Sequence, residues 1–286
     1  MFSLIEVQRY DILIYKTSFL LFLFSFYDKN CTFGINFTTM SDSIVIIPTY
    51  NEKENIENII KAVFGLPKPF DILVIDDGSP DGTATIVRRL METEFSNRLF
   101  IEEREGKLGL GTAYIHGFKW ALNRSYDYIF EMDADFSHNP DDLPRLYSAC
   151  CDDGFDMSVG SRYCSGVNVV NWPMGRVLMS YFASKYVQII TNVDIKDTTA
   201  GFVCYRRKVL ETINLDDIRF KGYAFQIEMK YTAYTLGFKI KEVSVIFVNR
   251  QLGTSKMNTS IFGEAFLGVI NLRWRKILGK IKPKQL

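Results

Sequence analysis

A chain of 286 residues, 47% hydrophobic and 14% aromatic, can bury a full core as one large domain, alone or with an appendage, which excludes a disordered or low-complexity protein. Its net charge of +1 excludes a global electrostatic pull toward nucleic acid or membrane, so any such partner has to be read from local patches. Cys31, Cys150, Cys151, Cys164 and Cys204 form no CxxC or other metal spacing, which suggests reduced thiols in a cytosolic setting and, with only His116 and His138 beside them, no zinc site.

In chain order, the first stretch stands apart. The apolar run Phe19 to Tyr27 is too short for a transmembrane helix of about twenty residues, and acidic residues precede it where a signal peptide would be basic. We expect Met40 to be the biological start and residues 1–40 to lie outside the fold, with a weak membrane-associating segment as the competing reading. From Ser43 onward strand and helix alternate, which predicts an α/β fold with a mostly parallel sheet and helices on both faces. The expected order is a strand at Ser43 to Ile47 stopping at Pro48, then a helix from about Glu52 to Phe64 with Asn51 as its N-cap. A strand at Ile72 to Ile75, a helix at Thr83 to Met91 and a strand at Leu99 to Glu103 follow. The pattern continues with a helix at Gly111 to Leu122, a strand at Tyr128 to Met132, a helix at Asp141 to Ala149 and a strand at Met157 to Gly160. A long amphipathic stretch covers Met174 to about Ile190, and the last elements are strand Phe202 to Tyr205, helix Ala224 to Leu236 and strand Ile240 to Val248.

The most informative residues are two acidic pairs at strand ends. Asp133-Ala134-Asp135 closes one apolar run, and Asp76-Asp77 closes another before the turn-forming Gly78-Ser79-Pro80-Asp81-Gly82. Paired carboxylates repel, and an oxygen-ligated divalent cation is the partner that suits them best. In an open α/β sheet ligands bind beyond the carboxyl ends of the strands, so Tyr50 to Glu52, Asp76-Asp77 and Asp133 to Asp135 should face one cleft. The glycine-rich Lys107 to Thr112 segment fits neither a Walker loop nor a dinucleotide fingerprint, because the spacing fails both. It reads as a tight turn into a helix, with glycines for close backbone approach.

Together, Pro48-Thr49-Tyr50-Asn51-Glu52, Asp76 to Thr83, Lys107 to Gly111, Asp133-Ala134-Asp135, Gly160-Ser161-Arg162-Tyr163, Asn171-Trp172-Pro173, and Arg250 with Gly253, Ser255 and Lys256 resemble the family 2 glycosyltransferases. Within them the chain is most similar to the dolichol-phosphate, or polyprenol-monophosphate, mannose synthases, over roughly Ser43 to Met257. The resemblance implies a GT-A fold as a catalytic domain over 41–257, a GDP-mannose donor, Mg²⁺ or Mn²⁺, and a polyprenyl phosphate acceptor at the cytoplasmic face of a membrane. Carried over by position, Pro48, Tyr50 and Glu52 contact the nucleoside, with Val74 and Asp76 at the base. Asp133, Ala134 and Asp135 hold the diphosphate through the metal, Asp135 most directly. Arg162, Arg250 and Lys256 match basic positions near the diphosphate and the acceptor phosphate, and Arg176 matches an acceptor-side arginine. Asp135, Arg162 and Arg250 are the expected catalytic set. The chain departs from the pattern at Ser137, where many relatives have a metal-proximal Gln, and at Ala200 and Ser244.

The chemistry is consistent with that resemblance. A phosphomonoester with a second pKa of about 6 is already a strong anionic nucleophile at neutral pH, so no general base is needed. The obstacle is the approach of two dianions, a repulsion on the order of ten kcal/mol at about 5 Å and an effective dielectric near 20, which cations must offset. The tail over 258–286 combines Ile261, Phe262, Phe266, Val269, Ile270, Trp274, Ile277 and Leu278 with Arg273, Arg275, Lys276, Lys280, Lys282 and Lys284. It reads as a basic amphipathic helix lying on an anionic membrane or as a helix packed on the domain with a solvated basic face. Two other functions fit the sequence less well: a UDP-sugar-dependent polyprenyl-phosphate glycosyltransferase, and a catalytically silent nucleotide-binding subunit.

Overall fold

The computed structural model describes residues 41–222, 224–250 and 261–284. The leader, Gly253, Ser255, Lys256 and the side chains of Ile261 and Phe262 lie outside the described residues.

The chain builds a seven-stranded sheet in the order β3-β2-β1-β4-β7-β5-β8. Its strands are β1 (Ser43–Thr49), β2 (Asp71–Asp76), β3 (Leu99–Glu103), β4 (Tyr128–Glu131), β5 (Met157–Ser161), β7 (Val203–Arg206) and β8 (Ile240–Ser244). The short β6 (Val169–Val170) and β9 (Phe247–Val248) pair with each other in a separate parallel ribbon. The helices are α1 (Ile56–Phe64), α2 (Thr83–Thr93), α3 (Leu110–Leu122), α4 (Leu143–Cys151), α5 (Met174–Thr191), α6 (Arg207–Thr212), α7 (Ala224–Thr235) and α8 (Ile261–Ile277).

β1 lies inside the sheet because it is apolar on both faces. Ile44, Val45, Ile46 and Ile47 are all fully buried, and their alternation divides them between two cores, as the two-residue period of a strand requires. Ile44 and Ile46 pack with Leu73, Ile75, Tyr114 and Phe118 on one face. Val45 and Ile47 pack with Ile56, Ile59, Ile60 and Val63 of α1 on the other. The parallel pairing of β1 with β2 and β4 carries the carboxyl ends of all three strands to one edge. A third, smaller core joins Val187, Ile227, Tyr231, Val269 and Leu272 beneath α5, α7 and α8.

The expected elements are found, with four differences of physical interest. Pro48 lies within β1, opposite Ile75, one residue short of the strand's end. Asn51 is not the N-cap of α1: its φ is 56°, and a turn closes first as Glu52 O accepts from Asn55 N and Ile56 N, both at 2.9 Å. β7 runs antiparallel to β4 and β5, so one strand reverses within the otherwise parallel sheet. The apolar run at Ile240 to Val248 is two strands, because after Val245 the chain leaves the main sheet to pair Phe247 with Val169. The glycine-rich segment is a tight approach: a Cβ on Gly109 or Gly111 would stand 2.8 Å from the Lys221 or Phe220 carbonyl oxygen.

The tail helix α8 packs on the domain. Val269 and Leu272 are buried, Arg275 bonds the buried Glu228 at 2.6 Å, and Phe266 stacks on Tyr186 of α5 at 4.4 Å. Phe266, Leu267, Trp274 and Ile277 remain exposed on its other side.

Candidate active site

The β1 and β2 ends form one half of the cleft. The stretch after β1 is fastened to the turn after β2: Asn51 N donates to Ser79 Oγ (2.9 Å), Glu52 N to Thr83 Oγ1 (3.1 Å) and Lys53 N to Asp81 Oδ2 (3.1 Å). The Asp76 carboxylate organises that turn, accepting from Thr49 Oγ1 (2.8 Å), Ser79 N (2.8 Å) and Ser79 Oγ (2.6 Å). Val74 is fully buried, so its side chain serves packing. Pro48, Tyr50 and Glu52 stand at the opening, all partly exposed, and the ammonium of Lys107 lies 5.4 Å from the Tyr50 ring. The glycine-rich loop is thereby brought to the β1 side of the cleft.

The β4 end supplies the acidic pair. After Met132 the backbone turns sharply, and Phe136 takes a left-handed φ of 59°, an uncommon conformation for a bulky residue that clusters at functional sites. Ser137 N donates to Asp135 Oδ1 at 3.0 Å, and Arg250 Nη2 meets Asp135 Oδ2 at 2.8 Å. Burial opposes the Asp135 charge, but Ser137 and Arg250 outweigh it and hold the carboxyl below the usual range. Asp133 is pushed the other way, up to about 7, by burial and by the facing Asp135 carboxylate, with Arg250 pulling against both. Its side chain is 39% exposed to the cleft, so like-charge repulsion is the firmer cause.

His138 completes this turn. It is buried, its Nδ1 accepts the Asp133 N–H at 3.1 Å, and its ring stacks on Phe202 at 4.9 Å. An accepting Nδ1 assigns the proton to Nε2, and burial lowers the pKa to about 4 although Asp135 pulls upward. Its role is structural: it supports the backbone of the acidic turn.

The opposite wall carries the arginines. Arg162 leaves β5 and grips Asp197, with Nε 2.7 Å from Oδ2, Nη2 2.6 Å from Oδ1 and its own N–H 2.9 Å from Oδ2; Nη2 also reaches Thr199 Oγ1 at 2.8 Å. Burial works against both charges, and each partner outweighs it for the other, holding Asp197 below the usual carboxylate range and Arg162 above its own. Arg176, at the start of α5, lies 3.9 Å over the Trp172 ring and donates to Asn249 Oδ1 at 2.9 Å. Asp133, Asp135, Arg162, Arg176 and Arg250 all line one cavity of about 160 Å³. That is smaller than the roughly 300–1,000 Å³ of sites that engulf a whole ligand, so it is the inner end of an open cleft. Lys256, expected with them, is outside the described residues.

One partly exposed carboxylate, Asp133, one buried carboxylate, Asp135, and three guanidinium groups around one small space can bind a cation on one side and phosphate oxygens on the other. Among the described residues no third His, Cys, Asp or Glu joins the acidic pair. The Ser137 hydroxyl, beside Asp135, is buried without a hydrogen-bond partner of good geometry, so the donor set fits a hard cation that completes its shell from a ligand or water.

Residues 44–213 match the profile of glycosyl transferase family 2, and the chain belongs to that family. It is 45% identical to a polyprenol monophosphomannose synthase of Mycolicibacterium smegmatis over 79% of this chain and 85% of that protein. It is 42% identical to an undecaprenyl-phosphate mannosyltransferase of Micrococcus luteus over 81% of this chain and 93% of that one. Among solved structures, glucosyl-3-phosphoglycerate synthase from Mycobacterium tuberculosis, bound to Mn²⁺, UDP and product, superposes with a TM-score of 0.59 at 18% identity, covering 84% of this chain and 81% of that one. A mannosyltransferase from Pyrobaculum calidifontis bound to GDP-mannose and Mn²⁺ gives 0.53 at 19% identity, over 83% and 64%. The fold is therefore the GT-A glycosyltransferase fold, and the chain is a glycosyltransferase.

Proposed function

We propose that this enzyme transfers mannose from GDP-mannose to a polyprenyl phosphate, with inversion at the anomeric carbon. The observation that carries the reading is the convergence of Asp133 and Asp135 with Arg162, Arg176 and Arg250 around one cavity, and the two bacterial relatives support the sugar and the lipid. A phosphate oxygen of the acceptor attacks C1 of mannose while the bond from C1 to the diphosphate breaks, releasing GDP. The acceptor is ionised at neutral pH, and neutral His138 holds the acidic turn without taking a proton.

Asp133 and Asp135, with the Ser137 hydroxyl, would hold Mg²⁺ or Mn²⁺, whose charge stabilises the departing diphosphate. Arg250 spans the two halves: it neutralises Asp135 in this structure and is placed to follow the phosphate charge when a substrate enters. Arg162 is held immobile by Asp197, so it presents a fixed positive edge, and Arg176 flattened on Trp172 presents another. Pro48, Tyr50 and Glu52 would hold the nucleoside, beside the turn that Asp76 organises.

No helix among the described residues is long and apolar enough to cross a membrane. Met174, Leu178, Phe182 and Ile189 of α5 and Phe266, Leu267 and Trp274 of α8 are nevertheless exposed, and the Tyr186–Phe266 stack joins the two helices. That apolar face, beside Arg176, supports peripheral attachment at a membrane surface where a lipid phosphate reaches the cleft. Incubation with labelled GDP-mannose or UDP-glucose and a polyprenyl phosphate, followed by extraction of the organic phase, tests the reading. Label from GDP-mannose should enter the lipid phase. Label from UDP-glucose alone would overturn the donor assignment.

A further inference from the structure

Behind the cleft lies a buried charged network that the mechanism above does not use. Lys230 of α7 is 1% exposed, and its Nζ donates to the Ala200 carbonyl, the Gln226 carbonyl (3.2 Å) and Gln226 Oε1 (3.4 Å). Gln226 Nε2 donates in turn to Glu131 Oε2, and Tyr205 Oη donates to Glu131 Oε1 at 3.0 Å. Glu131 is the last residue of β4, two before Asp133, and is fully buried. An ammonium buried among neutral acceptors carries a desolvation cost that a methionine of similar volume would avoid. Burial lowers the Lys230 pKa to about 8, with Glu131 pulling the other way.

The segment that Lys230 grips is itself a wall of the cleft. Residues 197–201 belong to neither helix nor strand, so no ladder covers their backbone and side chains take its place. Glu242 accepts from the N–H groups of Lys196 (2.8 Å) and Asp197 (2.9 Å) at one end. Arg162 binds Asp197 and Thr199 in the middle. At the other end the Phe202 carbonyl accepts from Gly160 N at 2.8 Å, and just before it Lys230 holds the Ala200 carbonyl. Thr199, Ala200 and Gly201 face the cavity, and a Cβ on Gly201 would lie 3.6 Å from Gln226 Nε2 and 3.8 Å from His138 Cε1. The wall therefore sits against both the network and the acidic turn.

We propose that Lys230 is a positioning residue: through the Ala200 carbonyl and Gln226 it ties the wall at 197–201, and with it Arg162, to the strand that ends in the acidic pair. Two fixed halves at a constant spacing are what an in-line displacement between two phosphates requires. The test is Lys230→Met, read by hydrogen exchange and by kinetics. Amide exchange in 197–202 should quicken by about tenfold or more while β1 and β2 stay protected. The KM for polyprenyl phosphate should rise about fivefold or more with affinity for GDP and Mn²⁺ within about twofold of native. The kinetic half rests on the function proposed above and the exchange half does not, so an inactive native enzyme would refute the function without touching the tether. Unchanged exchange and KM in a folded variant would overturn the proposal. If Lys230→Met does not fold, Glu131→Gln/Lys230→Met, which removes both charges, replaces it and is compared with Glu131→Gln alone. Failure of that pair to fold, or exchange equal to Glu131→Gln, would leave Lys230 a stability residue and overturn the proposal equally.

Discussion

Replacing Asp197 by alanine should separate what Arg162 does for the fold from what it does for the reaction. Asp197 is fully buried and the Arg162 side chain is 9% exposed, so the change strands a guanidinium away from water and also removes the acceptor of the Arg162 N–H. Breaking a buried pair on one side costs about 3–5 kcal/mol. For a domain of this size that is a fall in Tm of roughly 6–20 °C. Thermal unfolding by circular dichroism and a urea titration with an unchanged m value would measure it. The double variant Arg162→Met/Asp197→Asn removes both charges and keeps an acceptor for the N–H. Its stability should return to within about 2 kcal/mol of the native chain, since neutral replacement of a buried pair is often tolerated, while transfer remains lost. A single variant within about 1 kcal/mol of native, or a double variant with full turnover, would refute the assignment of Arg162 to both roles.

Asp135→Asn keeps an oxygen for the Ser137 N–H but loses the charge that Arg250 and a cation share; transfer should fall about a hundredfold or more with Tm little changed, and near-normal turnover would contradict the metal assignment. Arg250→Lys should lower transfer sharply, because an ammonium cannot reproduce a guanidinium fork, while stability measured by urea moves by about 0.5 kcal/mol or less. His138 gives a pH signature with a definite sign: its pKa is lowered from 6.5 to about 4 in the fold, so the unfolded chain binds the extra proton between those values. Its contribution to stability is complete above pH 6.5 and drains as pH falls toward 4. Urea midpoints across that window should decline less steeply in His138→Gln, by up to about 1.4 kcal/mol per pH unit; parallel curves would mean that His138 is not held neutral.

The elements that could be read from sequence are those whose pattern is local. β3 coincides with its expected bounds, Leu99–Glu103, because an apolar run between polar turns defines it. The two acidic pairs announced the cleft edge because their position at strand ends is itself a local signal. Asn51 misled because an Asn before a helical pattern resembles a cap, whereas here it takes a positive φ and the helix begins later. The six-residue α6 escaped notice because it is too short to show a period. The division of β8 from β9 was hidden by one continuous apolar run, since the strands change partners without changing composition. Asp197, Gln226 and Lys230 could not be assigned, because their partners lie 30 to 95 residues away in the chain and an isolated Asp, Gln or Lys carries no mark of burial. His138 offered a faint signal, three residues after Asp135 in the same turn, but its bond to the Asp133 N–H and its stacking on Phe202 leave no mark in the sequence.

The most direct test of the central claim is the anomeric configuration and metal dependence of the product. Purified enzyme, GDP-mannose and a polyprenyl phosphate should yield a mannosyl phospholipid whose C1–H1 coupling reports the β anomer, the product of a single in-line displacement at the α-linked donor. Formation should cease with a chelator and resume with Mg²⁺ or Mn²⁺. An α-linked product, or transfer undiminished by the chelator, would contradict the account.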